Sequence, residues 1–270
     1  MLPLLIATDV DGTLLNDDEQ ISPRTRAAVH AAVDGGAKFM LATGRPPRWI
    51  PPVVEALGLA PMAVCANGAV IYDAAADRIV SAHTLAPDLL AELAEVAQRV
   101  IPGVGLAVER VGRSAFDESI PQFASSPGYE HAWHNPDNTE VSLQEMLSVP
   151  AVKLLIRKAG AASAEMAAAL APHVCLEGDL TYSTNNGLIE VVPMGISKAT
   201  GIAEVATPLE IAADDVVAFG DMPNDLPMLR WSRLGVAMGN AHPEVMAAAD
   251  EITTHNNDDG VARVLERWWL

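Results

Sequence analysis

The chain opens on a short apolar run, Leu4 to Ala7, that gives way at once to polar residues, and the same switch recurs further along. Uninterrupted runs of that length are expected for central strands of a parallel sheet buried on both faces. Lys38 to Ala42 is a second such run and Asp215 to Phe219 a third. Between the first two, Ser22-Pro23 supplies an N-cap and a first-turn proline for a helix through about Val33, ended by Gly35-Gly36. Met62 to Ala66 and Ala69 to Tyr72 are apolar runs joined by Asn67-Gly68. That dipeptide suits a two-residue hairpin turn, and Ile79 to His83 extends the ribbon.

The pattern changes near Thr84. Pro87 to Ile101 reads as an amphipathic helix, but the following stretch is broken by Gly, Pro and aromatic residues with few clear periods. Ala151 to Ile156 returns as a strand and Ala161 to Ala171 as an alanine-rich helix. Val174 to Leu176 and Leu188 to Val192 are expected strands on either side of the polar Ser183 to Gly187. Beyond them, a helix over Gly195 to Ala206 precedes the third buried strand. Strands near Leu234 to Met238 and Glu251 to Thr253 then alternate with helices near Pro243 to Ala248 and Gly260 to Trp268. Strand-helix alternation at both ends implies an α/β fold: a Rossmann-like, three-layer parallel-sheet core from residues 1–83 and 191–270, with an inserted α+β unit at 84–190.

Composition narrows the function. The 270 residues are half hydrophobic, enough for one large or two modest domains with a buried core. The excess of 35 Asp and Glu over 17 Lys and Arg repels phosphate backbones, and no basic cluster offsets it, so nucleic acid is not the expected partner. No apolar segment approaches a membrane span, and the first residues lack a basic leader, so the expectation is a soluble, cytoplasmic protein. Cys65 and Cys175, far apart and inside apolar runs, read as reduced core thiols.

The buried runs end in chemistry. Asp9 and Asp11 follow the first strand, Thr43 and Gly44 the second, and Asp221, Asn224 and Asp225 the third, while Lys198 opens a helix. Open α/β sheets bind ligands at the carboxyl ends of their strands, which is where these residues would gather. Several carboxylates with almost no histidine or thiol call for a hard divalent cation, Mg²⁺ by default; a lysine and a hydroxyl suit a phosphoryl group. A carboxylate attacking a phosphate dianion must overcome repulsion of about 4 kcal/mol per pair of unit charges ~4 Å apart at an effective dielectric near ~20. The cation and Lys198 would cancel it. Asp9 could then attack phosphorus, while Asp11 could protonate the leaving oxygen and later deprotonate water.

These motifs, in this order, resemble the haloacid dehalogenase superfamily of phosphohydrolases. With Asn67-Gly68-Ala69, Gly195 to Lys198, Val236 to Ala241 and Asp259-Gly260-Val261, they look like its Cof-type subfamily, whose large α/β cap is inserted after the Asn-Gly hairpin. The resemblance implies a Mg²⁺-dependent phosphatase of small phosphorylated metabolites. It makes Asp9 the nucleophile and a metal ligand, Asp11 the acid/base and a ligand through its carbonyl, and Asp221 a third ligand with Asp225 in support. It also places phosphate against the Val10 amide, Thr43, Gly44, Lys198 and Asn224.

Alternatives of the same architecture are a phosphomutase or a dedicated sugar-phosphate phosphatase; a noncatalytic phosphoryl-accepting or metabolite-binding module is a third. Arg45 reads as a tie from its loop to a carboxylate. His131 and His134 have helical metal-site spacing but no obvious third ligand, so with Trp133 they read as cap surface or a substrate-facing loop. Trp268-Trp269 is expected to close a hydrophobic contact. Phe116 to Asn138 and Ser183 to Gly187 are the loops expected to set the substrate; the oligomeric state stays open.

Overall fold

The computed structural model describes residues 2–133, 135–174 and 178–270. In chain order its first elements are β1 (Leu5–Thr8), α1 (Pro23–Asp34), β2 (Lys38–Ala42), α2 (Pro51–Leu57), β3 (Met62–Cys65), β4 (Val70–Asp73) and β5 (Arg78–Ala82). The middle holds α3 (Pro87–Val100), β6 (Gly105–Glu109), β7 (Phe123–Ser125), β8 (Asn138–Glu140), α4 (Leu143–Leu147), β9 (Lys153–Arg157), α5 (Ser163–Val174), β10 (Gly178–Thr181) and β11 (Leu188–Pro193). The last are α6 (Lys198–Ala206), β12 (Val216–Gly220), α7 (Leu226–Trp231), β13 (Leu234–Ala237), α8 (Pro243–Ala248), β14 (Glu251–Ile252) and α9 (Gly260–Trp269).

Two compact units result: Met1–Val80 with Ser197–Leu270, and Ser81–Ile196. The return boundary falls six residues later than the pattern suggested. The reason is β11, which runs on to Pro193 and pairs antiparallel with β10 through Gly178↔Pro193, so the strand belongs whole to the second unit.

The first unit carries a sheet in the order β14-β13-β12-β1-β2-β3-β4-β5, parallel from β14 to β3. β1 lies centrally, with β12 on one side and β2 on the other, in the registers Ala7↔Ala218 and Ala7↔Met40. Period two assigns its faces. Leu5 and Ala7, with Met40, Ala42, Val216 and Ala218, pack against Ile202 of α6, Leu229 of α7 and Val245 of α8. Ile6, Leu41, Val217 and Phe219, equally buried, point the other way. α1 begins on Ser22, whose hydroxyl accepts from the Thr25 amide at 3.0 Å, and packs against α9. Trp269, half-buried, stands against the exposed Gly35, where a Cβ would come within 2.5 Å of its ring, so the C-terminal tryptophan closes a contact at the surface.

The second unit has its own sheet, ordered β10-β11-β9-β6-β7-β8 and antiparallel except for β7 with β8. α3, α4 and α5 bury one face against Leu106, Leu154, Ile156 and Ile189. Ala107, Phe123, Leu155 and Leu188 on the other face gather Tyr129 and Trp133. β6, β7 and β8 occupy the stretch whose sequence shows no clear period. Val174 ends α5 rather than starting a strand, and the strand begins at Gly178; the rest of that expected strand, with Cys175, lies outside the described residues, as does His134. His131 sits in an aromatic nest, 5.0 Å from the Tyr129 ring and 5.6 Å from Phe123. Among the described residues no helix is long and apolar enough to cross a membrane.

Candidate active site

The residues that end the buried strands meet at one edge of the parallel sheet, all within the first unit. Asp9 follows β1 directly, its amide donating to the Phe219 carbonyl of β12 at 2.9 Å. Asp221 follows β12, and Lys198 is the first residue of α6, whose start is fixed by a capping box between Ser197 and Thr200. A Cβ on Gly68 would run into the Ser197 carbonyl, so a glycine there lets the α6 start lie against the 66–69 loop.

Lys198 is fully buried and donates to Asp9 Oδ1 and to Asp225 Oδ1, both at 2.6 Å. Asp225, also fully buried, uses Oδ2 to accept from the Asp221 and Met222 amides at 2.9 Å each. It is therefore the anchor of the 221–225 turn as well as a partner of the lysine. Asp221 Oδ1 accepts from Thr13 Oγ1 at 3.2 Å. Gly12, at φ 71°, passes so close that a Cβ would stand 2.5 Å from Asp221 Oδ2. Only glycine combines that backbone with that approach.

Three carboxylates and one ammonium make an unbalanced buried cluster. Burial first, then the charges of Asp9 and Asp225, push Asp221 up to about 9. Burial also outweighs the Lys198 charge at Asp9, which is raised to about 7. Lys198 is shifted upward because the neighbouring Asp225 and Asp9 charges outweigh the burial penalty. One oxygen from each of Asp9, Asp221 and Asp225 lies within 4.8 Å of the others, so a single cation fits. The donors are hard oxygens, the chemistry of Mg²⁺ or Ca²⁺ rather than of a thiophilic metal.

Two further loops approach this cluster. Thr43 is fully buried, and its hydroxyl accepts from the Arg45 amide at 3.0 Å. Asn224 Nδ2 donates to Asn67 Oδ1 at 3.1 Å, and a Cβ on Gly44 would stand 3.1 Å from that same oxygen. Val10 is buried in the turn after Asp9. Asp11 is the exception. Its side chain is 58% exposed, lies outside the carboxylate cluster, and is held bidentately by Arg45 at 2.8 and 2.5 Å, the tie that the Arg45 position suggested.

Three contributors escape the sequence reading. The sequence suits Asn67 to a two-residue turn, but the connection between β3 and β4 is four residues long, with Ala66 at φ 49°, Asn67 at φ 58° and Gly68 at φ 105°. That wider loop turns the Asn67 side chain to Asn224. Thr13 steadies Asp221, and Asn240 Nδ2 holds the Gly12 carbonyl at 2.8 Å. The Asn-Gly pair is a legible sign of positive φ; Asn240 lies within the Val236 to Ala241 segment, which gives no sign of the bond to Gly12.

A family model for haloacid dehalogenase-like hydrolases matches residues 6–265. The chain belongs to this family. The 5-amino-6-(5-phospho-D-ribitylamino)uracil phosphatase of Bacillus subtilis is 31% identical over 98% of this chain and 96% of its own length. The HMP-PP phosphatase of Serratia proteamaculans is 28% identical over 98% and 94%. The solved structure of a haloacid dehalogenase-like hydrolase from Bacteroides thetaiotaomicron, 26% identical, superposes with a TM-score of 0.72 over 97% of this chain and 98% of its own. With its phosphatase relatives aligned along nearly their whole length, this haloacid dehalogenase-like protein is a phosphoric monoester hydrolase.

Proposed function

We propose that the enzyme hydrolyses small phosphorylated metabolites through a phosphoaspartate on Asp9, with Mg²⁺ as cofactor. The observation that carries this reading is Lys198: one buried ammonium, 2.6 Å from both Asp9 and Asp225, with Asp221 in the same over-acidic cluster. A cation there would be held by Asp9, Asp221 and the Asp11 carbonyl, with Asp225 supporting Asp221. When bound it would supply positive charge against the phosphate oxygens.

Asp9 attacks phosphorus, and the bond from phosphorus to the ester oxygen breaks. Asp11 gives that oxygen its proton. Asp11 then takes a proton from water, whose oxygen attacks phosphorus and releases Asp9 and inorganic phosphate. The ammonium has three donors, and with two on Asp9 and Asp225 the third remains for a phosphate oxygen. The Val10 amide, Thr43, Gly44 and Asn224 complete the cradle. In the parallel-sheet core of 1–80 and 197–270 this chemistry is complete; residues 81–196 serve as the cap that selects the leaving group and excludes water.

Two relatives of nearly equal identity bear names with different phosphorylated compounds, so the substrate class extends no further than small phosphorylated metabolites. The test is turnover of p-nitrophenyl phosphate and of a panel of phosphorylated sugars, nucleotides and vitamin precursors, with and without EDTA. Chelation should abolish turnover and added Mg²⁺ restore it. Undiminished turnover in a metal-free enzyme would overturn the mechanism.

A further inference from the structure

We infer that Asn67 is a positioning residue of the phosphate site, its side-chain oxygen deciding which way the Asn224 amide faces. This deepens the phosphatase reading and rests on it. Asn67 is 2% exposed and sits at φ 58°, ψ 29°, a left-handed conformation that asparagine tolerates better than most residues. Its backbone amide donates to the Thr43 carbonyl at 3.0 Å, and the preceding Ala66 amide to the Arg45 carbonyl at 3.0 Å, so the loop is strapped along Thr43 to Arg45. From there its side chain crosses to the 221–225 turn.

An amide has two chemically opposite ends. In the observed sense Asn224 Nδ2 donates to Asn67 Oδ1 at 3.1 Å, while Asn224 Oδ1 is buried without a hydrogen-bond partner. The opposite sense would set two carbonyl oxygens against each other at that distance. Asn67 therefore accepts one N–H of the Asn224 amide and fixes the direction of the other. That second N–H is the group a phosphate oxygen needs, whereas an amide presenting its oxygen would repel the anion. Gly44 stands at the crossing: a Cβ there would be 3.1 Å from Asn67 Oδ1 and 3.8 Å from Asn224 Nδ2.

The test is a double-mutant cycle on the Mg²⁺-loaded full chain, read as the inhibition constant of inorganic phosphate and the KM for p-nitrophenyl phosphate. Asn67→Gly keeps the backbone conformation and the bond to Thr43 while removing the acceptor. It should weaken phosphate about tenfold, the worth of one hydrogen bond in a buried site, with kcat changed far less. Asn224→Ala should weaken phosphate at least as much, and the double variant no further than Asn224→Ala alone. Protection of the Asn224 side-chain amide protons from solvent exchange, followed by NMR without substrate, should be lost in Asn67→Gly. Independent losses that multiply to about a hundredfold would overturn the inference and leave the phosphatase reading standing. An Asn224→Ala enzyme that binds phosphate normally would sink the phosphate-site assignment, and the inference with it.

Discussion

The two sheets bury charge at different places along their strands. In the second unit Lys153 of β9 and Glu190 of β11 lie within their strands and meet at 2.5 Å, with side-chain exposures of 4% and 3%. Glu109 of β6, also buried, stands opposite Lys153 in the register, so one lysine lies between two carboxylates, all within strands that supply apolar residues to both faces, as part of the wall. In the first unit the charges stand beyond the last residues of β1 and β12. There Lys198 faces Asp9 and Asp225, with Asp221 beside them, and the sum is negative. A buried ion pair is therefore a poor marker of function. The informative feature is position: at the carboxyl ends of parallel strands, residues 9, 198 and 221, remote in sequence, converge.

The largest effect expected follows from that convergence. Asp9→Asn should cut turnover by about 10^4-fold or more while the protein still folds, because the change removes the nucleophile and one of three crowded carboxyl groups without changing volume. Steady-state assay and thermal melting together check it; wild-type rates in the variant would remove Asp9 from the chemistry. Lys153→Met is the counterpart in the other sheet. It removes the lysine charge from beside the buried Glu190 and Glu109 carboxylates and should cost about 3–5 kcal/mol of stability in denaturant unfolding. A fully stable Lys153→Met protein would show that the pair is not the structural unit described.

The contrast also explains what the sequence could disclose. β2 and α8 match the expected Lys38 to Ala42 and Pro243 to Ala248, because a buried parallel strand is an apolar run and a helix start is a Pro after a cap. β6, β7 and β8 left no such trace. β8, Asn138–Glu140, is short and exposed, and a strand of that kind is made by its neighbour rather than by its own pattern. At the site, Asp9, Asp11 and Asp221 could be read from their position after apolar runs. Asn67 could not, because its role depends on where a four-residue loop directs one side chain. The pairing of Asp11 with Arg45 was legible only as a guess at some carboxylate.

Protonation gives a smaller effect with a definite sign. Asp9 at about 7 and Asp221 at about 9 bind protons more tightly in the folded chain than at the ordinary 3.8. Their contribution therefore favours the fold at low pH and is lost as pH rises through those values. A divalent cation offsets the cost only where the carboxylates are ionised. Mg²⁺ should then raise Tm by several degrees near about pH 8 and by little near about pH 5. Asp221→Asn should flatten that difference. An equal rise at both pH values, in wild type and variant alike, would mean that the ion binds elsewhere.

The smallest effect concerns the one proposed catalytic group outside the buried cluster. Asp11 is held by Arg45 at 2.8 and 2.5 Å, yet the aspartate side chain is 58% exposed, so the pair is close to solvent and worth at most about 1 kcal/mol of stability. A carboxylate that passes a proton to the leaving oxygen must be able to exchange this partner for the substrate. Arg45→Ala should therefore leave Tm within a few degrees and change the single-turnover rate by only a few-fold, whereas Asp11→Asn should slow it by about 10^2-fold or more. The two variants separate a tether from a reacting group. Were Arg45→Ala as damaging as Asp11→Asn, with its fold intact, the guanidinium would itself belong to the reaction centre, and the division between a buried charged cluster and an exposed proton carrier would have to be redrawn.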